Sequence, residues 1–257
     1  MRERILEELK KVETEFEVKI CYAVEAGSRA WGLSSKDSDY DVRFLYVHKK
    51  EWYLSIDEKR DVIEIPINNQ LDISGWDVRK ALRLFRKSNP PLMEWLHSRT
   101  IYDQAYSLVG KMKTIQNKVF SPKSSLHHYL QMAKRNNQDF LQKEHVKIKK
   151  YFYVLRPILA CQWIEQHGTV PPVEFNILME KLLPENLLKQ AIHRLIVEKI
   201  SGEELDLKIE RTIINDFVKK EIERIQTYIN SLKETKGEDM TPELDNLFRE
   251  TLHEAWL

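Results

Sequence analysis

Segments with strand character are confined to residues 18–77 of this chain, and that confinement limits what it can fold into. VKICYAVEAG (18–27) is rich in β-branched and aromatic residues and ends in glycine. YDVRFLYVH (40–48) alternates, with Asp41, Arg43, Leu45 and Val47 on one face and Val42, Phe44 and Tyr46 on the other. Further strands are expected at 61–67 and 70–77. From Asp77 the period turns helical through Val78, Ala81, Leu82 and Phe85, with Asp77 placed to cap the helix and Asn89-Pro90-Pro91 to close it. A first helix is expected over 4–16. After about residue 98 no strand is expected, only helices near 103–118, 123–143, 146–167, 173–182, 184–199, 209–235 and 241–255. The breaks between them carry Pro122, Gly168, Pro171-Pro172, Pro184, Gly202, Gly237 and Pro242. This pattern predicts an α+β fold: a small mixed sheet over 1–100, followed by an all-helical domain over 101–257.

A chain of 257 residues is long enough for a substantial core in one large or two modest domains. Lys and Arg number 41 against 40 Asp and Glu, so global charge neither favours nor disfavours a polyanion partner. The two cysteines, Cys21 and Cys161, lie in apolar surroundings away from any metal-ligand spacing and read as inert thiols in a reducing cytoplasm. No segment reads as a signal peptide or a membrane span, so no membrane partner is expected.

Gly27 to Asp41 reads GSRAWGLSSKDSDYD and carries the clearest chemistry. Glycine removes the Cβ that would keep backbone away from a phosphate oxygen. Ser28 and the backbone N–H groups after it can donate to phosphate, helped by a helix starting there. Arg29 is a further candidate phosphate contact, and Ser38 is placed to bond local backbone or metal-bound water. Asp39 and Asp41 are two residues apart at the start of a strand, so both carboxylates point to one face. Hard oxygen donors on one face suit Mg²⁺, and two such ions can clamp the attacking and leaving oxygens of a phosphoryl displacement. Asp72, a lone charge in QLDIS, is the favoured third carboxylate, with Glu64 second.

These residues resemble the signature of the DNA polymerase β-like nucleotidyltransferase superfamily, in which GS is followed by DxD or DxE. WDVRKALRLFRKSNPPLMEWLHS and KKYFYVLRPILACQWI are similar to a predicted-nucleotidyltransferase branch of YcgL-like proteins and relatives associated with RNA repair. The resemblance extends to about residue 175. It implies a mixed sheet flanked by helices as the catalytic domain, helices closing the active site, Mg²⁺ dependence and NTP use. It supports Gly27 and Ser28 as the phosphate pair and Asp39, Asp41 and Asp72 as metal ligands.

Two other groupings bear on the ligand. Lys149, Tyr153 and Arg156 fall at i, i+4 and i+7 on an otherwise apolar helix, offering cations for phosphates and a ring for a base. Arg156 and one of Lys149 or Lys150 are the candidate contacts, with Pro157 expected to bend the helix. Lys80, Arg83, Arg86 and Lys87 form a basic face, within which Lys80 is the candidate phosphate contact. His127, His128 and His145 read as ordinary helix histidines, and Trp76, Trp95 and Trp163 as packing residues. The expected activity is transfer of an NMP from an NTP, with ATP the expected nucleotide, to an acceptor hydroxyl with release of pyrophosphate. An RNA or tRNA 3′ end is the first acceptor; a protein side chain, a small molecule, or nucleotide binding without turnover are the alternatives.

Overall fold

A computed structural model describes residues 1–68, 70–141, 146–202, 208–233 and 238–257. The strands are β1 (Val18–Glu25), β2 (Tyr40–His48), β3 (Val62–Asn68), β4 (Leu71–Asp77) and β5 (Ile101–Gln104), joined in one sheet in the order β3-β4-β2-β1-β5. Only β2 and β4 run parallel; the other neighbours are antiparallel. Parallel pairing starts both strands at the same edge of the sheet. It sets Tyr40 opposite Leu71, Asp41 opposite Asp72 and Val42 opposite Ile73.

Helix α1 (Arg2–Glu15) covers one face of the sheet. Its Ile5, Leu9 and Val12 recur at helical spacing and pack with Val42, Phe44, Tyr46 and Ile73. Burial of each such side chain contributes roughly 1.5–3 kcal/mol. Leu45 and Val47, on the opposite side of β2, are also buried. Helices α4 (Val78–Arg86), α6 (Leu108–Val119) and α12 (Thr241–Trp256) pack against the strands. Gly75 lies opposite Phe44 in the β2–β4 register, and a Cβ there would come within 2.3 Å of the Phe44 ring. The ring crosses β4 only because this residue has no side chain. Two single turns, α2 (Gly27–Ala30) and α3 (Lys50–Tyr53), follow β1 and β2.

Two compact units emerge. The first comprises Met1–Ala30, Asp39–Phe120 and Gly237–Leu257. Within it α12 is tied to α4 and α6 by Arg86 donating to Thr241 at 2.6 Å and Lys111 to Glu250 at 2.8 Å. The second comprises Trp31–Ser38 and Ser121–Lys236. It contains α7 (Pro122–Asn136), α8 (Ile148–His167), α9 (Phe175–Leu182), α10 (Leu187–Ser201) and α11 (Lys208–Ser231), and a π-helical turn after α7. Among the described residues no helix is long and apolar enough to cross a membrane.

The architecture departs from the sequence reading in several places. Strand β5 lies beyond residue 98, where none was expected: at four residues, with only Tyr102 buried, it is too short to show alternation. It displaces the start of the next helix from 103 to Leu108. Asn89 does not merely end a helix; it caps a new one, α5 (Pro90–His97), by accepting from Leu92 N at 3.2 Å. The division at residue 100 also shifts, because the sheet unit keeps α6 and regains α12 from the far end of the chain. His145, Gly237 and the last residues of the helices expected at 123–143 and 209–235 lie outside the described residues.

Asp77 caps α4 as its position suggested, accepting from Arg79 N at 2.8 Å and from the Tyr53 hydroxyl at 2.6 Å. Burial nevertheless raises its pKa to about 6 from 3.8, against the opposing pull of those two hydrogen bonds. The folded state thus holds this proton more tightly than the unfolded chain. The stability it contributes is complete below the unfolded value and is lost as pH rises through about 6, a difference on the order of 2–3 kcal/mol. Asp77→Asn keeps a capping oxygen and has no charge to desolvate. Urea unfolding of this variant is expected to lose most of the wild-type decline in stability between pH 4 and 7.

Candidate active site

The site is built where β1 ends and β2 begins. Ala26 N donates to Asp41 O at 2.8 Å, and Asp41 N donates to the Glu25 carboxylate at 2.8 Å, which fixes the two strand ends against each other. Gly27 follows with φ +57°, a left-handed conformation. A Cβ on Gly27 would lie 2.0 Å from Asp41 Oδ2. Glycine is therefore required twice, by its dihedral and by the carboxylate it lies against. The Ser28 side chain makes no hydrogen bond to the described residues. The helix after Gly-Ser is a single turn, so its dipole is small.

The β2–β4 register places Asp72 beside Asp41. Arg43, two residues along β2, holds both: its guanidinium donates to Asp41 Oδ1 at 3.1 Å and Asp72 Oδ2 at 2.8 Å, and also to the carbonyls of Val42 and Asp72. Burial pushes the Asp41 carboxyl above its usual range. Arg43 opposes that rise, while Asp72 and Asp39 add to it. Asp39 is exposed just before β2. Its carbonyl accepts from Arg29 Nε at 3.1 Å, and the Arg29 guanidinium stacks 3.7 Å from the Tyr40 ring centre. Asp72 and Arg43 also border an open cleft of about 430 Å³ with Glu64 and Ser74.

This donor set fits a hard divalent cation. Asp41 and Asp72 each give Arg43 one oxygen, which leaves Asp41 Oδ2 and Asp72 Oδ1 outside that ion pair. No group of three His, Cys, Asp or Glu side chains is gathered tightly enough to cage a metal among the described residues. Mg²⁺ does not need such a cage: it is commonly held by one or two carboxylates with waters and substrate phosphates completing the octahedron.

Other residues singled out by sequence fall elsewhere. Lys80 lies beyond the far end of β4, roughly 17 Å along the strand from Asp72, and is paired with Asp61 at 2.8 Å. Its proximity in sequence to Asp72 is lost because the strand between them is extended. Glu64 is exposed and ion-paired with Arg60. Lys149, Lys150, Tyr153 and Arg156 all lie on α8 in the second unit. Arg156 is buried, donates to the carbonyls of Val173 (3.2 Å) and Pro172 (3.3 Å), and stands 5.1 Å from the Trp31 ring centre. Its guanidinium serves the interior of the helical unit, because an apolar neighbourhood demands that every donor be met. Tyr153 meets Trp31 edge-on at 5.7 Å, and the Lys150 ammonium lies 3.7 Å from the Phe140 ring centre.

Two residues that shape the site went unassigned in the sequence. Arg43 was visible as the residue sharing Asp41's face of the strand. Glu25 ends an apolar strand; it is buried, receives the Tyr102 hydroxyl, and its carboxyl is raised by that burial despite the two hydrogen bonds it accepts.

The chain is similar to known proteins over nearly its whole length. The family model described as RNA repair pathway DNA polymerase beta family matches residues 1–250. A protein of Bacillus subtilis (strain 168), described as uncharacterized protein YcgL, is 55% identical over 256 residues, covering 100% of this chain and 98% of its own. A crystal structure of a nucleotidyltransferase-like protein from Exiguobacterium sibiricum 255-15 aligns over 94% of this chain and 86% of its own, at 13% identity and a TM-score of 0.37.

Gly27→Ala tests the close approach directly. The added methyl must displace the Asp41 carboxylate, so the variant is expected to fold, as read by circular dichroism, yet bind Mn²⁺ about tenfold more weakly by electron paramagnetic resonance. Unchanged Mn²⁺ affinity would show that Asp41 Oδ2 plays no part in holding a cation.

Proposed function

This chain belongs to the RNA repair pathway DNA polymerase beta family, and from that premise we propose that it is a nucleotidyltransferase that moves an NMP from an NTP, ATP by preference, to an acceptor hydroxyl. The observation that carries the proposal is the in-register pair Asp41 and Asp72, with Gly27 packed on the first of them. Carboxylates on adjacent strands repel; Arg43 offsets this through one oxygen of each, and Asp41 Oδ2 and Asp72 Oδ1 stay outside that ion pair for a cation to meet.

In this reading Asp39, Asp41 and Asp72 would hold two Mg²⁺ ions, with waters and substrate phosphates completing their coordination. When bound, they neutralise charge on the reacting phosphate and lower the cost of charge on the attacking and leaving oxygens. Gly27 lets the backbone approach the phosphate tail, and the Ser28 hydroxyl and following N–H groups donate to it. Arg29 keeps Asp39 in place through its carbonyl, and Arg43 keeps Asp41 and Asp72 aligned. Asp72, on the side of the open cleft, orients the acceptor hydroxyl. Its oxygen attacks the α-phosphorus, the bond to the bridging oxygen breaks, and pyrophosphate leaves with that oxygen's electron pair. The acceptor proton passes to Asp72 or to solvent. Lys149, Lys150 and Tyr153 on α8 are proposed nucleotide contacts. Lys80 and Arg156 already have partners in the fold, and a nucleotide role for either requires those contacts to be exchanged.

For the acceptor, the family description favours an RNA 3′ end. The deciding experiment offers each α-labelled NTP with Mg²⁺ to total RNA, cell protein and small amino-sugar acceptors. Label is expected on RNA, with equimolar pyrophosphate. Asp41→Asn and Asp72→Asn are each expected to lower transfer about a thousandfold, the scale of losing a metal-borne charge at the reacting phosphate. Transfer at the wild-type rate in Asp41→Asn would refute the reading; label on protein or sugar alone would move the acceptor.

A further inference from the structure

Helices α4 and α12 face one another with matching stripes, yet they do not close on each other. Arg79, Leu82, Arg83 and Arg86 recur at i, i+3, i+4 and i+7 on α4. Thr241, Leu244, Asp245 and Phe248 recur with the same spacing on α12. Stripes of this kind normally interdigitate. Here they enclose a cavity of about 330 Å³ within the sheet unit. Leu82 and Leu244 are buried and give it an apolar lining, to which Phe248 adds a ring. Both ends are closed. At one, Arg86 donates to the Thr241 hydroxyl at 2.6 Å, and that hydroxyl donates in turn to Asp239 at 2.5 Å. At the other, the Phe248 ring meets Tyr53 edge-on at 4.9 Å, and the Arg79 guanidinium lies 5.3 Å from the Tyr53 ring centre.

The lining of this cavity carries three guanidiniums and one carboxylate, Asp245. Arg86 is engaged with Thr241, so Arg79 and Arg83, one helical turn apart on the same face, are the pair that a ligand would meet. Two guanidiniums select among anions by geometry. A carboxylate has two oxygens, and one planar fork fills both. A phosphate monoester offers three outer oxygens and close to two negative charges, enough for two forks. The apolar lining suits a ring or hydrocarbon attached to that head. A nucleic-acid strand fits poorly: it needs an open path for its backbone, whereas this cavity is closed at both ends and bears a carboxylate.

We propose that the cavity between α4 and α12 is a second ligand site, for a small organic phosphate monoester. The phosphate sits between Arg79 and Arg83, and the apolar body rests against Leu82, Leu244 and Phe248. The site lies at the opposite end of β4 from Asp72: Asp77, the last residue of that strand, accepts from Arg79 N at 2.8 Å. It is therefore separate from the candidate active site and does not depend on the nucleotidyltransferase reading. A ligand held there touches both helices, so it stabilises the packing of α12 on the sheet unit. The basic residues of α4 are visible in sequence; the cavity is not, because 155 positions separate Arg86 from Thr241.

The test is calorimetric titration of the full chain in EDTA with phenyl phosphate, inorganic phosphate, benzyl alcohol and a single-stranded RNA lacking a 5′ phosphate. Phenyl phosphate is expected to bind about tenfold more tightly than inorganic phosphate, because its ring is buried, and to raise the thermal unfolding midpoint. Benzyl alcohol is not expected to bind. Arg79→Gln and Arg83→Gln are each expected to weaken phenyl phosphate by about tenfold. Arg83 is exposed, so its replacement leaves the fold intact, as circular dichroism checks. Lys219→Gln, an exposed lysine on α11, changes nothing. The proposal is overturned if the wild type fails to bind phenyl phosphate or if either arginine variant binds it as the wild type does. Inorganic phosphate or benzyl alcohol binding as tightly as phenyl phosphate overturns it too, as does binding that Arg83→Gln weakens for the RNA alone.

Discussion

The parallel pairing of β2 with β4 is the constraint on which the rest of the sheet unit depends. It brings the first residues of both strands to one edge and sets Asp41 against Asp72. Because side chains alternate along a strand, a slip of one residue would send Asp72 to the face packed under α1 and bring Leu71 or Ile73 to the carboxylate. The hydrophobic set of that face, Val42, Phe44, Tyr46 and Ile73, therefore fixes the geometry of the candidate site as well as the core. The same register places Gly75 under Phe44, so a single missing side chain secures the alignment several residues from the site.

Electrostatics at the strand edge follow from that alignment. Two neighbouring carboxylates need a positive partner, and Arg43 supplies it from the same strand with a planar fork that reaches both. A lysine at this position would carry the charge without the fork. Glu25 completes the arrangement from β1, where its carboxylate accepts the Asp41 N–H and the Tyr102 hydroxyl. Tyr102 lies on β5, the short strand at the sheet's edge, and through Glu25 it braces the backbone that carries Asp41.

Much of this was legible in the sequence because it is local. The alternation of β2, the helical stripe of α4 with Asp77 at its cap, and the GS and DxD elements all lie within a few residues of one another. The order of the sheet and the pairing of Asp41 with Asp72 are non-local, and a lone aspartate in a strand indicates a role without indicating a neighbour. Strand β5 was too short to alternate. Arg156 was read as a ligand contact because a cation at helical spacing from Lys149 looks the same in sequence whether it faces a ligand or carbonyl oxygens. Lys80 was placed by counting residues, and a strand covers more than twice the distance per residue that a helix does.

The path of the chain has one consequence for how the protein comes into being. The sheet unit is discontinuous: it takes α12 from the last residues of the chain, and α12 lies against β2 some two hundred positions away. During synthesis the strands leave the ribosome early, yet the surface that α12 covers must wait until residues 241–256 have been made. The helical unit is, apart from Trp31–Ser38, a continuous stretch that emerges whole before α12 does. The unit whose strands are made before the helical unit is thus completed after it. Until α12 is made, a nascent chain carries the strands of the candidate site with an apolar surface still open, the period in which chaperone capture or misassembly competes with folding.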